Sequence, residues 1–322
     1  MSEAKQIANM PLSVVAADKV ADGTMSFELR NADGRPLPAF YAGSHIFVET
    51  PNKLLRQYSL CNAPSEEDRY VIAVKRDAAG RGGSISMVDD LKVGDTLFVS
   101  APRNAFPLVE TAPRYLFIAG GIGITPIRSM LFALCAASIT SFKLYYCTRS
   151  VEDTAFREDW SRPEFSGKVV IHHDGGDPDR RLDLWPLLEN PGRTHLYCCG
   201  PGPLMQSVRD MAGHWPSSSV HFEDFCTVKP KPRPDDRAFN ARLAKSGMTI
   251  TVPAQQTLLQ TLRNAGVHIA SSCESGSCGS CQVNLLEGEA DHRDFVLSEA
   301  EQHDRIITCV SRACSPELVL DI

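Results

Sequence analysis

Short segments with alternating apolar and polar positions fill the first third of the chain. They lie at residues 26–29, 45–48, 70–74 and 96–99, and turn-forming residues cluster between them. Period-two segments at short, regular spacing are typical of antiparallel strands. The pattern over residues 11–105 therefore predicts an antiparallel β-barrel.

From residue 115 onward the pattern changes to continuous apolar runs. These runs occupy residues 115–119, 143–147, 168–171 and 195–199, and residues 126–136 have helical character. Continuous apolar strands that alternate with helices are typical of a parallel sheet covered on both faces. This part of the chain is predicted to form a doubly wound α/β domain.

A proline-rich stretch precedes the last segment. Three prolines alternate with charged residues at 229–236, which predicts an extended, exposed linker. Beyond it, residues 248–252 read as a strand and residues 257–265 as a short helix with one apolar face. We therefore divide the chain into a barrel domain (1–108), an α/β domain (109–226), a linker (227–237) and a C-terminal domain (238–322).

Composition limits the classes of partner. The chain has 322 residues, more than one core usually fills, and a net charge of −6. An acidic balance argues against nucleic acid, whose phosphates need a basic face. No apolar run approaches the length that spans a membrane, and the first ten residues lack the apolar core of a signal peptide. A cytoplasmic protein is expected.

Four of the eleven cysteines carry a metal-ligand spacing. Cys273, Cys278 and Cys281 form a C-x4-C-x2-C run, and Cys309 follows at a distance, as in plant-type [2Fe–2S] sites. Gly276 and Gly279 lie inside the run and permit the positive φ that a tight ligand loop needs. A structural zinc site is the alternative, although it usually uses C-x2-C pairs. Cys314 is a second candidate for the fourth ligand, and Cys309 is preferred because a strand-like segment leads to it.

A glycine-rich loop follows the first strand of the α/β domain. Gly120, Gly121 and Gly123 precede Pro126, which suits a first helical turn. Glycines at the start of a helix let the backbone approach a pyrophosphate. A plain tight turn is the alternative. The acidic residue expected about 20 positions later in a Rossmann fingerprint is absent, so a different dinucleotide-binding design is predicted.

Two segments of the barrel could hold a ligand. In Arg56-Gln57-Tyr58-Ser59 we expect the aromatic ring of Tyr58 and the hydroxyl of Ser59 on the same side of a strand, with Arg56 near a phosphate. Alone, this run is better explained as an ordinary half-buried strand. The run of residues 81–84, after Lys75, offers cations, backbone N–H groups and a hydroxyl, which suits a phosphate or an exposed glycine turn.

The order of these motifs resembles the ferredoxin–NADP reductase superfamily. Arg-x-Tyr-Ser, then Gly-Gly-x-Gly-x-Thr-Pro, then Cys-Cys-Gly-Pro at 198–201 occur in sequence, and the C-terminal cysteine run narrows the resemblance to the phthalate dioxygenase reductase family. That resemblance implies an FMN-binding barrel, an NAD-binding α/β domain and a β-grasp ferredoxin domain. It also implies that NADH reduces FMN and that single electrons then leave through the [2Fe–2S] cluster.

The resemblance assigns roles by position. Ser59, Tyr58 and Phe225 are the implied catalytic residues, with Tyr58 against the flavin ring, Ser59 near its reactive edge and Phe225 over its other face. The other implied flavin contacts are Arg56, Gln57, Ala73, Val74, Lys75, Arg81, Gly82, Gly83, Ser84 and Thr125. The implied nucleotide contacts are Gly120, Gly121, Gly123, Pro126, Thr148, Arg149, Cys199, Gly200 and Pro201.

Three further expectations concern cofactors and partners. Arg149 near the adenosine ribose could favour NADPH, whereas the resemblance favours NADH. FMN is expected rather than FAD, because residues 102–107 show no obvious extension to hold an adenine. The implied partner is a terminal Rieske oxygenase, met transiently by a monomeric reductase. A vanillate-type demethylase, another acceptor such as a cytochrome, or a non-catalytic iron–sulfur module are the alternatives.

Overall fold

The computed structural model describes residues 7–225, 233–271, 274, 276, 279–294, 297–298 and 300–322. The chain divides into two compact units, Met1–Phe225 and Cys226–Ile322. The strands are β1 (Met10–Ala21), β2 (Thr24–Arg30), β3 (Ser44–Glu49), β4 (Leu55–Ser59), β5 (Tyr70–Lys75), β6 (Thr96–Val99), β7 (Arg103–Asn104), β8 (Arg114–Gly120), β9 (Phe142–Thr148), β10 (Val169–His173), β11 (Thr194–Cys199), β12 (Val220–Glu223), β13 (Phe239–Leu243), β14 (Thr249–Val252), β15 (Gln282–Glu287), β16 (Ala290–Asp291), β17 (Arg305–Ile307), β18 (Arg312–Ala313) and β19 (Glu317–Leu320). The α-helices are α1 (Gly83–Asp89), α2 (Ile124–Ala136), α3 (Trp185–Leu188), α4 (Gly202–Met211) and α5 (Leu258–Asn264).

The first unit opens with the antiparallel barrel that the sequence predicts. Its strands lie in the order β4-β3-β6-β1-β2-β5, and β7 pairs with β3. A bridge between Leu60 and Ile72 brings the first and last strands of this order together. Inward-facing residues such as Leu12, Phe27 and Ile46 fill the interior. The alternating pattern arises because only one face of each strand is buried.

A five-stranded parallel sheet in the order β10-β9-β8-β11-β12 forms the second half of this unit. One face of β8 contributes Tyr115 and Phe117 to an aromatic core, and the other contributes Leu116 and Ile118 to a second core. Burial on both faces explains the continuous apolar run. The predicted α/β architecture is confirmed, and the predicted helix at 126–136 lies within α2.

The second unit is a small mixed sheet in the order β14-β13-β19-β15-β17, beside a two-stranded ribbon of β16 and β18. Thr257 is the N-cap residue of helix α5. Its side chain accepts a hydrogen bond from the Gln260 N–H, and the Gln260 side chain accepts one from the Thr257 N–H, as in a capping box. Leu258 and Leu262 bury one face of this helix against the sheet. Across the described ranges, the structure contains no helix that is long and apolar enough to cross a membrane.

The predicted exposed linker differs from the structure at one residue. Residues 226–232 lie outside the described part of the chain, and residues 233–235 are exposed as expected. The Asp236 side chain is 3% exposed. Its Oδ1 atom forms an ion pair with Nη2 of Arg293 at 2.6 Å and lies 3.7 Å from Nε of Arg312. The prediction of exposure is wrong for Asp236, because two arginines of the second unit bind its carboxylate.

Candidate functional site

The barrel opens where its first and last strands separate. The Cys61 N–H donates to the Val71 carbonyl oxygen at 2.9 Å, next to the bridge between Leu60 and Ile72. Beyond this point the described residues 56–59 of β4 and 73–75 of β5 have no backbone pairing with each other. These are the strand segments that the resemblance assigns to the flavin. The Gln57 Oε1 atom is buried without a hydrogen-bond partner among the described residues, as expected where a polar ligand completes the site.

A compact cradle lies at the start of α1. A Cβ on Gly83 would lie 2.7 Å from Nε of Arg56, so the arginine side chain packs directly on this glycine. Gly82 has a φ of +85°, and its carbonyl accepts a 3.1 Å hydrogen bond from Asn52. The Ser84 hydroxyl oxygen accepts a 3.1 Å hydrogen bond from the Asp77 N–H. The structure thus brings together four of the predicted phosphate contacts, namely Arg56, Gly82, Gly83 and Ser84. The fifth, Arg81, is exposed.

Tyr58 and Ser59 lie on opposite faces of β4. Tyr58 pairs with Ile46, a barrel-core residue, whereas Ser59 pairs with His45. The prediction that both side chains point to the same side is wrong, because neighbouring residues alternate along a strand. A ligand must therefore lie along the strand edge to meet both residues.

Ser59 meets a buried carboxyl group from the α/β half. Its hydroxyl donates to Oε2 of Glu223 at 3.4 Å, and Glu223 is 7% exposed at the end of β12. Burial raises the pKa of Glu223 to about 8, with a smaller opposing contribution from the Ser59 hydrogen bond. The carboxyl group is thus mainly protonated near neutral pH. Its Oε1 atom has no hydrogen-bond partner among the described residues.

Two glycine-containing segments pack backbone against backbone beside Glu223. Glu223 pairs with Cys199 in the sheet. A Cβ on Gly123 would lie 2.2 Å from the Cys199 carbonyl oxygen, and one on Gly120 would lie 2.5 Å from Cδ of Pro201. These two glycines permit close packing. Gly121 is different, because no described atom lies within 4 Å of its Cβ position, so it remains accessible to a ligand.

The residues that follow the loop are buried. The Thr125 side chain is 2% exposed and donates to the Ile122 carbonyl at 2.9 Å, and Pro126 lies in the first turn of α2. Phe225 is partly buried against the aromatic core of the α/β half. Phe225 packs against the same core as Cys199 and as Ile124 and Ile127, which flank Thr125 in α2.

The predicted adenosine contacts have different environments. The Thr148 hydroxyl lies within 3.1 Å of the Ser150 carbonyl, 3.0 Å of Thr154 Oγ1 and 2.8 Å of His173 Nδ1. Arg149 is exposed. Its side chain is therefore better placed than the Thr148 hydroxyl to contact a ligand from solvent.

The candidate cluster site lies in the second unit. Cys281 and Cys309 are 2% and 1% exposed and share a small buried core with Leu259, Leu297 and Ile307. Cys314 is exposed, which supports Cys309 as the fourth ligand. Gly276 and Gly279 adopt φ values of +80° and +71°, as predicted. Cys273 and Cys278 lie outside the described residues. The buried thiols of Cys281 and Cys309, together with the positive φ of Gly276 and Gly279, fit a [2Fe–2S] cluster.

Sequence reasoning missed Glu223 and Arg128, whose side chains connect the two halves of the first unit. Glu223 lies beside Asp224 between two phenylalanines, and Arg128 is the one charged residue of the otherwise largely apolar helix α2. A titratable residue inside an apolar segment is the local signal that could have identified both.

Protein-family models match all three parts of the chain. An oxidoreductase FAD-binding domain matches residues 11–107, an oxidoreductase NAD-binding domain matches residues 117–175, and a 2Fe-2S iron-sulfur cluster binding domain matches residues 241–314. These matches confirm the predicted fold classes and the predicted order of flavin, pyridine nucleotide and iron–sulfur modules.

Relatives match the chain from end to end. The phthalate 4,5-dioxygenase oxygenase reductase subunit of Pseudomonas putida is 52% identical over 312 residues, which cover 97% of this chain and 96% of that protein. A vanillate O-demethylase oxidoreductase of Pseudomonas sp. (strain HR199 / DSM 7063) is 43% identical over 94% of this chain and 96% of that protein. The solved structure of a phthalate dioxygenase reductase, described as modular for electron transfer from pyridine nucleotides to [2Fe–2S], is 49% identical, has a TM-score of 0.74, and is matched over 97% of this chain and 98% of that one.

Proposed function

The chain belongs to the phthalate dioxygenase reductase family of iron–sulfur flavoprotein oxidoreductases, and we propose that it is the NADH-dependent reductase component of an aromatic-ring Rieske oxygenase system. The observation that carries this proposal is the meeting of Ser59, Glu223 and Cys199 between the barrel and the parallel sheet. A flavin-module strand and two nucleotide-module strands converge there, in a chain that also carries a cluster-binding module.

The bound groups supply the redox chemistry of this family. Electrons pass from NADH through FMN to the [2Fe–2S] cluster, which accepts one electron at a time. The protein binds and orients these groups and excludes water from the reacting atoms.

In this proposal the buried pair of Ser59 and Glu223 orders the reacting end of the flavin site. Ser59 holds its proton toward Glu223 at 3.4 Å, and the protonated carboxyl group can donate a hydrogen bond without bringing a buried charge. A neutral group is favoured here because an unpaired buried charge is costly. Tyr58 and Phe225 would supply apolar surface around the same end.

The phosphate end of the flavin would be held at the start of α1. Arg56 supplies a cation, and Gly82, Gly83 and Ser84 supply backbone N–H groups and a hydroxyl close to it. Backbone N–H groups at a glycine turn bind phosphate oxygens well. The remaining flavin contacts proposed are Gln57, Ala73, Val74, Lys75, Arg81 and Thr125.

The pyridine nucleotide would bind along the open side of the glycine loop. Gly121 leaves space for the pyrophosphate, and Gly120, Gly123, Pro126, Gly200 and Pro201 fix the shape of that surface. Cys199 would lie near the nicotinamide, and Thr148 and Arg149 near the adenosine end. We propose NADH as the donor, in accordance with the family, so that Arg149 contacts the ribose without a 2′-phosphate.

The partner proposed is a terminal Rieske oxygenase that acts on an aromatic acid. The names of the relatives support this, since one is a reductase subunit for phthalate 4,5-dioxygenase. A vanillate-type O-demethylase partner is the second candidate, and it rests on the relative that is 43% identical. We further propose a cytoplasmic monomer that meets its oxygenase transiently. Light scattering with and without the oxygenase tests the monomer and the transient complex.

Anaerobic spectroscopy tests the proposed function. The purified protein should show flavin absorbance and an iron–sulfur shoulder, and NADH should bleach both faster than an equal concentration of NADPH does. Purified oxygenases specific for phthalate and for vanillate, added separately, should then identify which Rieske centre the reduced protein reduces faster. If NADH leaves the spectrum unchanged, the proposal fails. If NADH bleaches it but neither oxygenase is reduced, only the proposed partner fails.

A further inference from the structure

Arg128 forms a polar connection between the two halves of the first unit. It lies in α2, five residues after Gly123, and its side chain is 14% exposed. Its Nη1 atom donates to the backbone carbonyl of Cys61 at 2.6 Å, although Cys61 belongs to the barrel half. A guanidinium that binds a buried carbonyl in this way fixes both segments, because either partner alone would leave a buried polar group unsatisfied.

The remaining guanidinium contacts hold Arg128 in place from the α/β side. Its Nε atom donates to Oδ2 of Asp159 at 2.7 Å, and Arg162 binds the other carboxylate oxygen of Asp159 at 2.7 Å. The rings of Phe132 and Phe156 lie 4.5 and 4.3 Å from the Arg128 guanidinium carbon, within cation–π range. The guanidinium thus has a defined position and orientation.

The barrel end of this connection is also held firmly. Cys61 is completely buried, and both its N–H and its thiol donate to the Val71 carbonyl, at 2.9 and 3.2 Å. Cys61 lies two residues after Ser59 and directly after the Leu60 bridge that closes the barrel. A displacement of the Cys61 backbone would therefore move Ser59 and the edge of the candidate flavin opening.

The two halves share an aromatic core, but an open space separates them beside Arg128. A cavity of about 430 Å³ lies on the boundary, lined from the barrel by Asn62 and Val71 and from the other half by Arg128 and Phe132. A backbone hydrogen bond from Asp22 to Glu152 also crosses between the halves, at 2.9 Å, but it starts at the turn between β1 and β2. The Ser59–Glu223 hydrogen bond joins β4 to β12, and Arg128 joins Cys61 to α2, the helix that follows the glycine loop.

We propose that Arg128 is a positioning residue, which sets the distance between the nucleotide-binding glycine loop and the flavin-binding strand. The inference rests on the proposed function and adds a residue that acts through Cys61 and α2 rather than by touching a cofactor. Because a misplacement of 1 Å between reactants can lower a rate about 100-fold, loss of this connection should slow hydride transfer more than it weakens NADH binding.

The test compares R128M and R128K with R162M as the matched control. Methionine removes the connection to Cys61 and keeps the bulk, lysine keeps the charge, and R162M removes a partner of Asp159 that makes no described contact with the barrel. Anaerobic stopped-flow reduction by NADH gives the limiting rate and the apparent dissociation constant. Hydrogen exchange on the NADH-free, flavin-loaded protein gives the protection of residues 59–62 and 121–127.

The expected limiting rate of R128M is about 10- to 100-fold below that of the wild type, with the NADH dissociation constant changed less than about threefold. Both peptide segments should exchange faster, R128K should recover part of the rate, and R162M should stay within about threefold of the wild type. Wild-type rates and protection in R128M, or an equal loss in R162M, would overturn the inference. If R128M does not fold with flavin, R128K decides, and a wild-type rate in R128K overturns the inference. A wild-type protein that NADH cannot reduce would instead refute the proposed function.

Discussion

The hydroxyl of Ser59, at the end of a barrel strand, donates a 3.4 Å hydrogen bond to the carboxyl group of Glu223, at the end of the last strand of the parallel sheet. Both side chains are buried. The contact joins the two modules at the point where the proposed hydride transfer takes place. Burial keeps its carboxyl group mainly protonated near neutral pH, against the smaller opposing effect of the Ser59 hydrogen bond on its pKa.

Removal of the Glu223 acid should change how stability depends on pH. Its folded-state pKa of about 8 lies above the ordinary value of 4.5. Between these pH values the unfolded chain releases a proton that the folded protein keeps, so the unfolding free energy falls as pH rises, and the stabilisation is lost by about pH 8. Thermal unfolding midpoints across this range should fall less steeply in E223Q than in the wild type. E287Q, at a side chain that is 72% exposed, is the control, and an unchanged slope in E223Q would contradict the assignment.

Two neighbouring glycines should respond differently to alanine. G123A places a Cβ 2.2 Å from a backbone oxygen, and we expect a loss of more than about 3 kcal/mol of unfolding free energy or no soluble protein. G121A meets no described atom within 4 Å and is strained only by its φ of +51°, which costs about 1–2 kcal/mol. Urea denaturation followed by circular dichroism measures both variants. Equal losses would contradict the role of packing on Cys199, because the φ of Gly123 is −63° and suits any residue.

Two C-terminal cysteines should separate cluster binding from flavin reduction. C309S should lose the cluster, because Cys309 is buried beside Cys281, whereas C314S should keep it, because Cys314 is exposed. Iron content and the iron–sulfur absorbance measure the cluster, and stopped-flow measures reduction of the flavin by NADH. C309S should retain flavin reduction within about threefold of the wild type, since the cluster receives its electrons after the flavin. Loss of iron in C314S would identify it as the ligand instead.

Asp236 should matter for the stability of the second unit. Its carboxylate is 3% exposed and binds arginines whose side chains are 12% and 7% exposed. Removing one member of a buried ion pair typically costs about 3–5 kcal/mol, so D236N should lower the unfolding temperature of the iron–sulfur unit. E287Q removes an exposed pair in the same unit and should cost less than about 1 kcal/mol. Thermal unfolding followed by the loss of cluster absorbance distinguishes the two variants. A D236N midpoint equal to that of E287Q would contradict this prediction.

Local patterns predicted most of the framework. The segments at 45–48 and 70–74 lie within β3 and β5, because alternation reports directly on which face a strand buries. The pattern at 81–84 predicts a phosphate-binding loop or an exposed glycine turn and does not predict helix α1, because Gly82 and Gly83 conceal the start of a helix whose first residues pack on Arg56.

The parts of the site that depend on distant contacts were not predictable in the same way. Glu223 acquires its raised pKa from burial next to Ser59, 164 residues away, and Arg128 acquires its role from Cys61, 67 residues away. Their local sequence signal is a charged residue in an apolar segment, which indicates a buried site without identifying its partner. The roles assigned to individual cofactor contacts stay predictions.

The surroundings of Thr148 and Arg149 bear on attempts to change the coenzyme. The Thr148 hydroxyl already contacts three neighbouring polar groups, whereas Arg149 is exposed and its Cδ lies 3.9 Å from a Cβ built on Gly176. Redesign toward a phosphorylated donor should therefore vary Arg149 and leave Thr148 unchanged, and Gly176 should stay glycine because its φ is +79°. One strand end thus combines a position that tolerates engineering with a neighbour that does not.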